Sequence, residues 1–164
     1  MRDLLVIAAG FAVVGAAAGV IWALVSDPPQ VTRYVETIGQ DELQLAGMFA
    51  MDGWYVVVAA IPALLGGLWF GWRRRRDPVA TVILVTLGAC LAGLVMFLVG
   101  QMLGPDDPTV VLADAEVGAT ATAQLSLSSK IFGLVWPLGA TAGLFLVNLL
   151  TSSDVPDQNR PEDQ

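Results

Sequence analysis

WYVVVAAIPALLGGLWFGWRRRRDPVATVILVTLGACLAGLVMFLVGQML, residues 54–103, decides the fold. Two apolar runs, Trp54–Trp72 and Val79 to about Leu103, carry no Asp, Glu, Lys or Arg and flank four consecutive arginines, Arg73, Arg74, Arg75 and Arg76. At about 1.5 Å of rise per residue, each run is long enough to cross the roughly 30 Å hydrocarbon layer as a helix. Lipid offers no partner for a backbone N–H or C=O, so a span must satisfy its own, and no period-2 alternation points to barrel strands instead. A short basic turn between two spans belongs on the cytoplasmic side.

Working outward, Leu4–Val25 and Ile131–Leu150 are two further uncharged apolar runs. The expected fold is therefore an all-α integral membrane protein, a bundle of four antiparallel transmembrane helices. Its spans cover about 4–25, 54–72, 79–103 and 131–150, with outside loops 26–53 and 104–130, a cytoplasmic turn 73–78 and both termini cytoplasmic. Six basic residues, Arg2, Arg73–Arg76 and Arg160, then lie inside against Arg33 and Lys130 outside. Ala16 and Ala18 form an A-x-A pattern, but the apolar run continues beyond it and Asp3 offsets Arg2, which favours a retained span over a cleaved signal. In the loops, Val31–Thr37 and Thr120–Leu127 alternate like strands and are expected to pair as a small β cap. The polar tail 151–164, with Pro156 and Pro161, reads as disordered.

Composition removes much chemistry. The 164 residues are 55% hydrophobic and 14% charged, with a mean hydropathy of +0.68. No histidine is present and there is one cysteine, so imidazole catalysis, an intramolecular disulfide and a CxxC pair are all excluded. Cys90 has no base or cation nearby in the sequence and reads as a small packing residue. The loop carboxylates show no calcium-loop spacing, and there is no G-x-S-x-G elbow, phosphate loop or Ser-x-x-Lys. No catalytic residue, metal ligand, cofactor or nucleic-acid contact is expected.

What remains is packing and surface. Gly15 and Gly19, Ala59, Ala63, Gly67 and Gly71, Ala89 and Gly93, and Gly139 and Gly143 repeat at four-residue spacing. Such ridges let helices approach closely in lipid, either within one bundle or, at Gly15/Gly19, against a second protein. Pro62 and Pro137 inside spans are expected to kink them and open a cavity. No charge falls at mid-span, which argues against an ion-coupled carrier, and leaves Thr81, Thr86, Gln101, Thr141 and Asn148 as the polar candidates. Arg73–Arg76 fix topology and attract anionic lipid headgroups. Trp69, Trp72, Trp22, Trp54 and Tyr55 read as interfacial anchors.

Val20-Ile21-Trp22-Ala23-Leu24, Asp52-Gly53-Trp54, Arg73-Arg74-Arg75-Arg76, Leu103-Gly104-Pro105 and Trp136-Pro137 occur in an order that resembles a family of uncharacterised actinobacterial four-span membrane proteins, a domain of unknown function. The resemblance implies an actinobacterial plasma membrane and no particular activity. The first functional expectation is a non-enzymatic accessory or assembly subunit of an envelope complex, with membrane lipid around it and a membrane-protein partner or second copy on a small-residue face. The alternative is a binder or carrier of lipid or another apolar molecule, in a cavity near Pro62 and Pro137.

Overall fold

A computed structural model describes residues 2–34, 38–39, 42–74 and 77–152. The elements in chain order are α1 (Arg2–Val25), β1 (Gln30–Arg33), β2 (Ile38–Gly39), α2 (Glu42–Arg73), α3 (Pro78–Leu103), α4 (Pro108–Val111), β3 (Thr120–Thr122), a 3-10 turn (Lys130–Leu134) and α5 (Val135–Ser152). Four helical segments are long and apolar enough to cross a membrane, so the chain is an all-α, multi-pass four-helix bundle carrying a small sheet.

The helix boundaries have local causes. Asp27-Pro28-Pro29 stops α1. The Asp77 side chain accepts from the Ala80 amide at 3.1 Å, with Pro78 in the first helical position, so α3 starts abruptly after the arginine turn. The Gly104 amide donates to the Gly100 carbonyl before Pro105 prevents continuation. One boundary differs from expectation: α2 begins at Glu42, well before Trp54. Glu42 and Asp52 interrupt the apolar count, yet ELQLAGMFAM is rich in strong helix formers. The helix is about 48 Å long at 1.5 Å per residue and overshoots the bilayer core.

Successive spans run antiparallel, but the closest pairs are the parallel ones, α1 with α3 and α2 with α5. Glycine explains this. A Cβ on Gly15 would lie 2.5 Å from the Ala92 carbonyl oxygen, and one on Gly19 would lie 2.6 Å from that of Met96. In the second pair a Cβ on Gly67 would strike the Ala140 carbonyl, and one on Gly143 the Leu64 carbonyl. Backbone therefore rests on backbone along two four-residue ridges, the close contact on which helix association in lipid depends. Contacts between α3 and α5 join the two pairs, and the ring closes only loosely between α1 and α2.

Toward the end bearing the sheet, Trp22, Met51, Tyr55, Met96 and Trp136 form a fully buried cluster. Trp22 Nε1 donates to the Met51 carbonyl at 3.1 Å, and its ring meets Tyr55 edge to face at 5.2 Å. Trp136 Nε1 points to Met96 Sδ at 3.3 Å. Trp22 and Tyr55 are thus core residues and not interfacial anchors, because Gly100 leaves room for the Trp22 ring against α3. Trp54, Trp69 and Trp72 are exposed. Cys90 is also exposed on the outer face of α3, since Ala89, Ala92, Gly93 and Met96 take the inner one.

The sheet has the order β2-β1-β3, all antiparallel, with Val31 opposite Ala121 and Thr32 opposite Thr120. β1 and β3 fall in the two stretches whose alternation suggests pairing, and Val35–Thr37 lie outside the described residues. Val31, Leu112, Ala121 and Ala123 make a second, small core beneath it. The Arg33 guanidinium donates to the Leu112 and Ala113 carbonyls and ties the sheet to the end of α4. Both inter-span segments therefore sit at one end of the bundle. The turn between α2 and α3 and the start of α1 lie at the other. From Ser153 onward the tail is outside the described residues.

Candidate functional site

Where α1 and α2 part, the surface sinks into a groove of about 800 Å³ bounded by α1, α2 and α5. Its walls are almost wholly apolar: Val14 from α1, Pro62, Leu65, Trp69 and Trp72 from α2, Leu150 from α5. Gly10 and Gly66 keep the floor low, and Phe70, whose ring stacks on the buried Phe11 at 5.6 Å, also lines it. A smaller hollow of about 340 Å³ shares Val14 and Pro62 and continues along α1 and α2 toward the sheet, past Ile21 and Val57. The groove follows α2 from Pro62 to Trp72, about 15 Å of helix rise, half the roughly 30 Å hydrocarbon layer. It lies at the end of the bundle that carries the turn between α2 and α3.

A third hollow of about 210 Å³ lies beside the groove at the same end, between α2, α3 and α5, and differs in chemistry. Arg74, Thr81, Asn148 and Thr151 line it, and it shares Val147 and Thr151 with the apolar groove. Thr81 is buried and gives its hydroxyl proton to the Asp77 carbonyl at 2.7 Å. Thr151 likewise donates to the Val147 carbonyl at 2.9 Å, and Asn148 Nδ2 to the Leu144 carbonyl at 3.1 Å. Two of the polar span residues singled out in the sequence, Thr81 and Asn148, thus meet here. Thr141 instead bonds the Pro137 carbonyl of its own helix at 2.8 Å.

The other sequence candidates fall elsewhere. Gly15 and Gly19 pack against α3, and Gly139 and Gly143 against α2. The Gly15/Gly19 ridge is therefore taken up inside the molecule and is not open to a second protein. Pro62 lines the groove, as the cavity argument requires. Pro137 does not: it stands in the first turn of α5, where a missing N–H is tolerated, and is not among the groove's lining residues. Arg73 is exposed in the last turn of α2, one turn beyond Trp69, while Arg75 and Arg76 lie outside the described residues.

One carboxylate is not where the sequence puts it: Asp52, expected in the outside loop 26–53, lies within α2 and is 2% exposed. It accepts from the Ser128 amide at 3.1 Å and from the Ser128 hydroxyl. This carboxylate fastens the segment after β3 to α2. No local pattern marks it, because Asp52-Gly53 before an apolar run reads as a turn. Among the described residues, no group of three or more His, Cys, Asp or Glu side chains converges on a possible metal position.

Compared with known proteins, the chain matches no family model, no curated protein and no solved structure at a significant level. The resemblance to the actinobacterial four-span family therefore rests on the residues quoted for it.

Proposed function

We propose that this chain is a non-enzymatic, multi-pass protein of the plasma membrane, of the actinobacterial kind its motifs resemble, that holds a membrane lipid by its acyl chain in the α1–α2–α5 groove. Both termini and the arginine turn face the cytoplasm, and the sheet caps the outer side. The observation that carries this reading is the 800 Å³ apolar groove beside Pro62. Its volume lies in the range of about 300–1,000 Å³ common to small-molecule sites, and its length matches one leaflet. Exposed Trp69 and Trp72 at the arginine end suit the depth where chains meet headgroups. The orientation is supported by Arg2, Arg73 and Arg74 at one end of the bundle against Arg33 and Lys130 at the other.

Native mass spectrometry of the protein extracted in mild detergent tests this. One tightly retained lipid per chain is expected, and Leu65→Trp or Val14→Phe, which fill the groove from its walls, are expected to release it. Retention unchanged in both variants would sink the groove as the binding place.

The accessory-subunit reading draws on a different observation, the continuation of the groove to Val57 toward the sheet, which offers a partner helix a seat about 22 Å long between α1 and α2. It expects a stoichiometric protein to co-purify and to be lost in Val57→Trp. Recovery of the chain with lipid alone excludes it.

A further inference from the structure

Resting on the groove reading, we infer that the 210 Å³ polar hollow holds the phosphate of the same lipid and that the cations beside it, Arg73 and Arg74, favour a net-anionic glycerophospholipid over one whose headgroup carries a cation. Three features converge. First, the hollow adjoins the acyl groove through Val147 and Thr151, so one amphipathic molecule can occupy both, its tail against Leu65 and Trp69 and its polar end against Arg74. Second, its size is right: a water takes about 30 Å³ of liquid, and the hollow accommodates a group several times larger, the scale of a phosphate diester with its glycerol linkage.

Third, the donor set has the right sign. Thr81 and Thr151 spend their hydroxyl protons on helix carbonyls, so the protons offered to a ligand come from Arg74 and Asn148. A guanidinium carries five N–H donors in a fork that fits phosphate oxygens two at a time, and the Asn148 amide, which donates to the Leu144 carbonyl, lines the same hollow. Both residues also interact within the chain, and several donors on one guanidinium serve an internal partner and a phosphate together. Among the described residues, no carboxylate lines the hollow to repel an anion. Arg73, exposed on the adjoining turn, adds positive potential at the groove mouth.

The experiment uses the full chain in mild detergent, incubated with equal amounts of phosphatidylglycerol and phosphatidylcholine bearing identical chains, with the bound lipid read by native mass spectrometry. The wild type is expected to retain phosphatidylglycerol about five- to tenfold over phosphatidylcholine. Arg74→Gln and Asn148→Leu are expected to bring that ratio close to one. The Arg74 backbone carbonyl, which accepts from Thr81 at 3.2 Å, is unaltered in the first, and the second changes a side chain bonded to its own helix. Equal retention in the wild type, or an unchanged ratio in both variants, overturns the headgroup assignment and leaves the groove standing. Absence of any retained lipid overturns the groove as well. A large excess of inorganic phosphate is expected to leave the ratio intact, because the tethered group has the advantage of its chain. Loss of the preference in that arm assigns the hollow to free phosphate and overturns the proposal.

Discussion

Two glycines in α1 allow the packing argument to be tested with little else changing. Gly10 and Gly15 are both helix-interior positions, and replacing either with Ala gains roughly 0.5–1 kcal/mol of intrinsic helix preference. They differ in surroundings. A Cβ at Gly10 meets nothing within 4 Å, whereas one at Gly15 lies 2.5 Å from the Ala92 oxygen and 2.8 Å from its Cα. A methyl group needs about 3.5 Å, so α1 and α3 must part by close to 1 Å over a ridge packed against backbone, and such overpacking costs about 1–3 kcal/mol. Gly10→Ala is then neutral to stabilising, and Gly15→Ala lies about 1–3 kcal/mol below it, the intrinsic term having cancelled. The clash is with backbone, so Ala92→Gly in the Gly15→Ala background gives no rescue. Reversible unfolding in mixed micelles, followed by tryptophan fluorescence, measures the gap. Equal stability of the two single variants, or recovery on adding Ala92→Gly, would refute close backbone contact between α1 and α3.

Other consequences follow from single contacts. Asp52→Ala removes two hydrogen bonds to a carboxylate and strands the Ser128 amide, which costs about 2–4 kcal/mol and speeds deuterium uptake across 123–130; uptake unchanged there would show that Asp52 is no tether. Trp22→Phe keeps most of the buried ring but loses the bond to Met51, a cost of about 1 kcal/mol read in the same unfolding assay. Cys90→Phe on the outward face of α3 is expected to leave stability within about 0.5 kcal/mol, whereas Ala89→Phe, at a fully buried neighbour, costs more than about 1 kcal/mol. Equal effects of these two would place the inner face of α3 elsewhere.

The parts of this molecule that are legible in the sequence are those set by hydrocarbon thickness. Spans 4–25, 79–103 and 131–150 agree with the helical segments to within a residue or two because charge and proline end both the apolar run and the helix. At α2 the two signals separate. Asp52 ends the uncharged run, yet the helix passes through it, since a carboxylate that finds two donors on Ser128 can be buried at the membrane margin. Those donors sit 76 residues away, beyond any local window. Trp22 misleads for a related reason. A tryptophan near a span end ordinarily marks the interface, and only Gly100 on another helix reveals that its ring is received inside.

Helix pairing explains why the groove, too, is hidden in the sequence although Pro62 hints at it. Small residues occur in all four spans and do not state their partners. Once Gly15 and Gly19 are set against α3, and Gly67 and Gly71 against α5, α1 and α2 have used their close-packing faces on other helices. What lines the space left between them is Val14, Ala17, Ile21, Val57, Pro62 and Leu65, the walls of the two hollows. The same glycines that close two interfaces in this way open the third. Gly66 sharpens the point, since it lines the groove and a Cβ there would already lie 3.2 Å from the Phe11 ring, so Gly66→Leu is expected to shrink the hollow. If that substitution leaves lipid retention as tight as in the wild type, the groove is not where the lipid is held, however well its walls are shaped for a chain.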